Sequence, residues 1–330
     1  MTTIKWGILG CGKIAAKFAA DLQLVGDGEL IALASRSKEK ALEFSRQYPA
    51  EYIYGSYEKL AANPEVDVIY VATPHSHHYA NTLLCLKNGK AVLCEKAFAI
   101  NAREAVEMIA EARRRKIFLM EALWTIFLPH YQKVMDMIKS GSLGEIRSIL
   151  VNFGFKPSLP VPERIFDPRL GGGTLLDIGI YNVFVALSIL GRPEEIDAWM
   201  TPAETGVDAQ CAISFRYRNG SMAQLFSSFL SNLATDADIA GDQGRIRLTT
   251  RFYEPTTTIE FYPGRADLRQ IIIYDKEPGW GYHHEIRHVH ECLRKGLTES
   301  PVMPLDQTLI MMEVMDEIRR KAGIKYPADL

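Results

Sequence analysis

Lys96 is the residue of this sequence best placed to act on a hydroxyl group. It stands in Cys94-Glu95-Lys96-Ala97, directly after an apolar run, Ala91–Cys94, that reads as a β-strand. An ammonium group at a strand end can hydrogen-bond a substrate hydroxyl and hold positive charge beside an alkoxide as it forms. Glu95 next to it favours the charged form and orients it. A second apolar run ends in Ala72-Thr73-Pro74-His75-Ser76-His77-His78. Three close histidines suggest a metal, but no cysteine or carboxylate stands near them in that loop, and we expect none to be bound there. A third constellation is Gly10-Cys11-Gly12-Lys13-Ile14-Ala15, which follows the first apolar run of the chain. Gly10 permits a tight turn, Gly12 lets backbone approach a pyrophosphate, and Ala15 lets a helix pack closely on a sheet. The N–H groups and dipole at the start of that helix then hold the phosphates. The strand–loop–helix setting makes this a dinucleotide site rather than an ordinary glycine turn.

The next strand decides which dinucleotide. A carboxylate at the end of strand two would bind a ribose 2′-OH, but here Leu30–Ala34 runs into Ser35-Arg36-Ser37-Lys38. Arg36 can stack on adenine and pair with a 2′-phosphate, with Ser35, Ser37 and Lys38 as further donors. The sequence therefore predicts NADP(H) over NAD(H), although Ser37 also has the character of a helix N-cap. Elsewhere His284-Glu285-Ile286-Arg287-His288 has the HExxH spacing of zinc proteases, with Glu313 as a distant third ligand. Arg287 puts a positive charge inside that motif, so we expect it to be accidental and expect no metal.

These residues need a framework that brings strand ends to one edge. Ile4–Leu9, Leu30–Ala34, Tyr52–Tyr54, Val68–Ala72, Ala91–Cys94 and Ile117–Glu121 read as strands. Between them Lys13–Val25, Lys38–Tyr48, Tyr57–Ala62, Ser76–Lys87 and Ala102–Arg115 read as helices. Continuously apolar strands alternating with helices imply a parallel sheet covered on both faces, doubly wound by right-handed crossovers. After Trp124 the pattern changes. A helix over 129–140 leads to strands Ile146–Phe155, Ile196–Met200, Cys211–Tyr217, Met222–Ser228, Ile246–Thr250, Thr256–Phe261 and Gln270–Tyr274. Helix Gly173–Leu190 interrupts them, Arg218-Asn219-Gly220-Ser221 is a hairpin turn, and 283–321 is helical again. The fold class is thus α/β: a Rossmann doubly wound parallel sheet over residues 1–123, then an α+β domain with a large, mostly antiparallel open sheet over 124–330.

Bulk composition agrees. The 330 residues suit two domains of roughly 150 residues each. A net charge of -2 gives no electrostatic case for nucleic acid, and the run Arg113-Arg114-Arg115-Lys116 suits the negative end of a helix. We expect no membrane span and no cleavable signal segment, since Lys5 and Trp6 fall where a signal core would lie. Five scattered cysteines without CxxC pairs fit reduced thiols in the cytoplasm.

Taken together, Gly10-Cys11-Gly12, Thr73-Pro74-His75-Ser76-His77, Glu95-Lys96 and Gly171-Gly172-Gly173 resemble the marks of the glucose-fructose oxidoreductase, inositol dehydrogenase and rhizopine-catabolism (Gfo/Idh/MocA) family. Residues 118–125 (Phe-Leu-Met-Glu-Ala-Leu-Trp-Thr) and 173–181 (Gly-Thr-Leu-Leu-Asp-Ile-Gly-Ile-Tyr) are similar to its dihydrodiol dehydrogenase branch, also active as NADP-dependent D-xylose dehydrogenases; Thr298-Glu299-Ser300-Pro301 adds to this. The resemblance implies that Lys96 is the active-site lysine and that Tyr181 gives and takes the hydroxyl proton. The residue pattern agrees, because Asp177 and Tyr181 share a helix face one turn apart. A free tyrosine titrates near pH 10 (roughly), so a cation such as Lys96 or oxidised nicotinamide must assist it. Cofactor contacts are expected from Gly10, Cys11, Gly12, Lys13, Ile14, Ser35, Arg36, Ser37, Lys38, Thr73, Pro74, His77, Glu95 and Lys96. Trp124, Phe155, Trp280 and Tyr282 are expected to wall an apolar substrate pocket; Phe127 suits the wall or the core equally.

The reaction expected is reversible hydride transfer between NADP(H) and a secondary alcohol of a sugar or cyclic trans-diol, and the resemblance implies a homodimer joined through the outer face of the second sheet. Two alternatives remain open: a catalytically silent NADP-binding sensor, and an NAD(P)-dependent hydrolase or isomerase that oxidises its substrate transiently. Intact Lys96, Asp177 and Tyr181 argue against the sensor. Two departures from the family pattern bear on the site. Ala97 stands where proline usually follows the lysine, which implies a less rigid backbone. Ile126 stands where arginine often follows Trp-Thr, which removes a possible substrate contact.

Overall fold

The computed structural model describes residues 2–249, 251–255, 257–264, 268–274 and 277–330. The chain forms two units, one of Met1–Trp124 with Glu277–Leu309, the other of Thr125–Lys276 with Ile310–Leu330.

The first unit runs β1 (Ile4–Leu9), α1 (Lys13–Leu22), β2 (Gly28–Ala34), α2 (Lys38–Ser45), β3 (Tyr52–Tyr54), α3 (Tyr57–Ala61), β4 (Val68–Val71), α4 (His78–Lys87), β5 (Ala91–Glu95), α5 (Ala102–Arg115) and β6 (Leu119–Ala122). The strands form a six-stranded parallel sheet in the order β3-β2-β1-β4-β5-β6. β4 and β5 are buried at every position, as expected of central strands covered on both faces. Ser37, Ser56 and Asn101 cap α2, α3 and α5 by accepting the N–H three residues on. Under α1, Phe18 stacks on Tyr70 at 3.8 Å and meets Trp6 edge-on at 5.1 Å, a pairing worth about 0.5–1.5 kcal/mol per contact beyond burial alone.

The second unit contains α6 (Pro129–Lys139), β7 (Ile146–Gly154), α7 (Ile180–Leu190), β8 (Glu195–Pro202), β9 (Asp208–Arg216), β10 (Met222–Ser228), β11 (Ala237–Gly241), β12 (Gly244–Leu248), β13 (Thr258–Pro263) and β14 (Gln270–Ile273). Its eight strands lie in the order β14-β13-β12-β11-β7-β10-β9-β8, antiparallel except where β10 runs parallel to β7. The β9–β10 hairpin closes as expected, with Gly220 at φ +83° and its N–H on the Tyr217 carbonyl. β11 has too little alternation to be read from sequence. Thr250 and Thr256, which we assigned to strand ends, lie outside the described residues.

Two expectations are corrected. The predicted final helix is two, α8 (Tyr282–Arg294) and α9 (Leu305–Ala322), and α8 belongs to the first unit rather than to the later chain. The reason is burial: Ile286, Val289 and Cys292 are buried, His290 accepts from Trp6 Nε1 at 2.8 Å, and Tyr282 lies 6.3 Å from Phe18. The stretch Pro168–Leu190, against expectation, is long and apolar enough to cross a membrane, at a mean hydropathy of 1.7. Its most apolar part is 78% buried inside the fold, which marks it as a core helix packed on the second sheet.

Candidate active site

β1 and β4 lie side by side, with Leu9 opposite Val71, and the strand order reverses between them. A crevice outside the carboxyl ends of the strands is the consequence. Gly10 follows β1 at φ +104°, and a Cβ there would come within 2.8 Å of the Ala72 carbonyl oxygen, so no side chain fits. Gly12 starts α1 without a side-chain cap, and a Cβ on it would meet nothing within 4 Å. The backbone of Gly12 and the first turn, with Lys13 and Ile14, therefore face open space in which phosphate oxygens can accept from N–H groups. Cys11 donates to the Ala34 carbonyl, and burial pushes its thiol up to about 11, which makes it a packing group.

At the end of β2, Ser35 is buried and Arg36 is exposed. The charge of Arg36 reaches both Tyr57 and His77; burial first, and Arg36 second, lowers the His77 imidazole pKa. Arg36 and His77, far apart in sequence, thus stand within electrostatic reach of each other. Ser37 accepts from the Lys40 N–H and donates to Glu39 at 2.6 Å, so its hydroxyl is engaged as a helix cap, while Lys38 is exposed. Pro74 leads a single helical turn, His75–His77, and accepts from the His77 N–H. Thr73 is buried and its hydroxyl accepts from Asn81.

Lys96 follows β5 and is half-buried. Glu95, 5% exposed, accepts from the Tyr70 hydroxyl and from the backbone N–H of Lys96 itself. Burial, reinforced by Glu95, pushes the Tyr70 phenol far above its usual range. The peptide between Lys96 and Ala97 is cis. The fully buried His78 ring reaches both neighbouring loops, with Nδ1 2.7 Å from the Ala97 oxygen and Nε2 2.7 Å from the Thr73 oxygen. Two carbonyls favour a protonated ring, but burial dominates and lowers the pKa to about 4. One residue on, the Phe98 N–H donates to Glu121, whose carboxyl is pushed up to about 8 by burial. Neither His78 nor Glu121 was assigned a role from the sequence; polar types inside apolar runs were the available signal.

Trp124 and Tyr282, both buried, stack at 4.6 Å. Trp280 is 49% exposed beneath the Lys17 ammonium, 4.3 Å from its ring centre. The HExxH histidines turn to different partners, His288 to the Ser300 hydroxyl and His284 to Glu277. Glu285 points into the core with neither oxygen hydrogen-bonded, and burial raises its pKa well above the carboxylate range.

In the second unit Tyr181 is 6% exposed, its ring 4.9 Å from Tyr253 and 6.0 Å from Phe153. Phe155 lies beyond the end of β7, 5.2 Å from Phe229. The expected helix over 173–190 begins as a wider π turn, Leu175–Gly179, which carries Asp177. Asp177 pairs with Arg164 through both guanidinium nitrogens at 3.2 and 3.4 Å. Arg164, in the short 3-10 turn Glu163–Ile165, gave no sequence signal. Asp208 holds the start of the π turn by accepting from the Thr174 hydroxyl and the Leu175 N–H at 2.6 Å, while burial pushes its carboxyl up to about 6.

The oxidoreductase family with an NAD-binding Rossmann fold matches residues 4–123, and the GFO/IDH/MocA C-terminal domain matches 131–247. The chain is 36% identical to trans-1,2-dihydrobenzene-1,2-diol dehydrogenase from Bos taurus and 37% identical to that from Homo sapiens, in both cases over 99% of each chain. A 3-ketoreductase from Actinomadura kijaniata, solved with NADP and TDP-benzene, superposes with a TM-score of 0.88 at 26% identity, covering 97% of this chain and 98% of its own. The chain belongs to the GFO/IDH/MocA oxidoreductase family.

Proposed function

We propose that this family member transfers hydride between NADP(H) and a secondary alcohol of a sugar or a cyclic trans-diol. The observation that carries this reading is the end-to-end similarity to trans-diol dehydrogenases, with Lys96, Asp177 and Tyr181 all present. The open space facing Gly12 and the uncapped start of α1 suit a pyrophosphate. Exposed Arg36, with no acid at the end of β2, supports the 2′-phosphate of NADP over the bare ribose of NAD.

When bound, the cofactor supplies or accepts hydride at its nicotinamide ring. The Lys96 ammonium binds the substrate hydroxyl and stabilises the oxygen as negative charge grows on it. The Tyr181 hydroxyl takes that oxygen's proton in oxidation and returns it in reduction. Asp177, held by Arg164, keeps a carboxylate one turn from Tyr181, and Glu95 fixes the backbone from which Lys96 projects. Trp124, Tyr282, Trp280 and Phe155 supply the apolar surface for a ring-shaped substrate.

The outer face of the second sheet supports a homodimer. Along β7, β8, β10 and β14 it exposes Leu150, Trp199, Met222, Ile271 and Ile273, an apolar set on the phase opposite the buried one. Five unpaired thiols fit a reducing, cytoplasmic setting.

A panel of aldoses, inositols and cyclic trans-diols, assayed with NADP+ and NAD+ at the nicotinamide absorbance band, tests the reading. Reduction of NADP+ by at least one sugar or diol is the expected result. Product formed without net cofactor reduction would instead indicate transient oxidation. Tight NADP+ binding with no turnover across the panel would indicate a sensor.

A further inference from the structure

We propose that Glu277, His283 and His284 form a binding site for one divalent transition-metal ion of the zinc class at the start of α8, inside the first unit. The Nε2 atoms of His283 and His284 lie 2.9 and 3.4 Å from the same Glu277 oxygen, Oε2. All three donor atoms fall within 4.8 Å of one another. Ligands about 2.0–2.1 Å from a tetrahedral zinc ion stand about 3.3 Å apart, so the three need only small side-chain adjustments to share an ion. Two imidazoles and one carboxylate suit zinc, copper or nickel; calcium and magnesium prefer oxygen alone. A fourth position is left for water.

The support behind the ligands distinguishes this group from a chance surface cluster. Nδ1 of His283 faces Oδ2 of Asp21 at 3.4 Å, and Asp21 is fully buried. Asp21 is fixed in turn by N–H donors from Trp280 and Tyr282 at 2.7–3.0 Å. A carboxylate on the far nitrogen sets the tautomer and aims Nε2 outward, which is how metal-binding imidazoles are usually oriented. His283 is itself 4% exposed, so its ring cannot swing into solvent. Asp21 and Glu277 bring two negative charges, and Arg287 nearby brings one positive, which leaves a net attraction for a dication. The HExxH spacing is a poor guide here, because Glu285 and His288 take no part and Glu277 stands before the motif. The competing occupant is a proton on His283 Nε2, donated to Glu277.

Metal-stripped full-length protein titrated with ZnCl2 by calorimetry, with bound metal counted by elemental analysis, separates the two. The expected result is one saturable equivalent per chain, a melting temperature that rises with zinc concentration, and at least tenfold weaker binding in both His284→Ala and Glu277→Gln. His288→Ala should bind as the parent does. Glu277 and His284 are 49% and 15% exposed, so these variants keep the buried Asp21–His283 pair and the fold. Absence of a saturable equivalent in the parent would overturn the site, as would unchanged affinity in His284→Ala and Glu277→Gln. Equal weakening in His288→Ala would overturn it too, by moving the ion to the HExxH pair.

Discussion

Glu121→Gln tests the account of the floor beneath Lys96. Glu121 is fully buried, accepts from the Phe98 N–H at 3.2 Å, and leaves Oε2 without a partner. Burial raises its pKa from 4.5 to about 8, so the fold keeps a proton that the unfolded chain releases. The sign follows from linkage: stability is undiminished below pH 4.5 and is lost progressively until the pH passes about 8. At about 1.4 kcal/mol per unit, the shift of 8 − 4.5 = 3.5 units costs about 5 kcal/mol in full, of which about 2 kcal/mol falls between pH 6.5 and 8. In that window the buried His78 and the half-buried His284, lowered from 6.5 to about 4, add nothing in the opposite sense, which they exert only below pH 6.5. Glu285 shares the sign of Glu121, so the difference between variant and parent is the quantity to read, not the parent's slope. Glutamine has the shape of the neutral acid, still accepts from Phe98, and cannot ionise. Urea unfolding at half-unit intervals from pH 6.5 to 8 should show the variant gaining about 2 kcal/mol on the parent across the range. Parallel stability curves would refute the reasoning, since they would mean Glu121 is already ionised in the fold.

Arg36→Ala removes a charge-assisted contact worth about 1.5–3 kcal/mol, and should weaken NADP+ by roughly 10- to 150-fold in fluorescence titration while NAD+ changes little; equal losses would show that Arg36 does not read the 2′-phosphate. Tyr181→Phe should lower kcat by roughly 10²–10⁴-fold with cofactor binding retained, Lys96→Met should fall in that range or beyond, and the double variant should be scarcely worse than the poorer single one. Multiplying defects would mean that the two residues serve separate steps. His78→Ala removes the one N–H that a neutral ring can donate to the Thr73 or the Ala97 carbonyl, and should cost about 1–3 kcal/mol in thermal or urea unfolding; a loss under about 1 kcal/mol would show that water replaces the ring. Trp199→Glu should convert a dimer to monomers in sedimentation equilibrium, and an unchanged mass would clear this face of the role.

What could be read from the sequence was whatever depends on local chemistry. The glycines at 10 and 12, Lys96 after an apolar strand, and the change from alternating helices to runs of strands all follow from one stretch of chain at a time. Placement of α8 did not, because it depends on Trp6, Phe18 and Asp21, more than 250 residues away. Arg164 was invisible for a similar reason: an arginine in a short 3-10 turn has no periodicity, and only folding brings it to Asp177. The π turn at 175–179 has no compositional mark, yet it sets where Asp177 stands relative to Tyr181. Pro168–Leu190 shows the opposite failure, in which a core helix has the composition of a membrane span and only its surroundings tell the two apart.

The substitution of Ala97 for the usual proline suggested a looser backbone after Lys96, and the surrounding contacts argue otherwise. A proline stiffens a chain from within by fixing one torsion. Here the same segment is held from outside at three successive points. Glu95 accepts the Lys96 N–H, His78 meets the Ala97 oxygen, and Glu121 accepts the Phe98 N–H. The Cys94 thiol reaches the Phe98 oxygen at 3.7 Å, and Ala97 and Phe98 are both fully buried. All four partners are ionisable, yet burial keeps His78 unprotonated and Glu121 protonated near neutrality, so both hold the loop as neutral groups. Each is costly to bury alone, and each is tolerable because it satisfies a backbone group that would otherwise be orphaned. Conformational stiffness that one ring would supply has been moved into side chains from α4, β5 and β6.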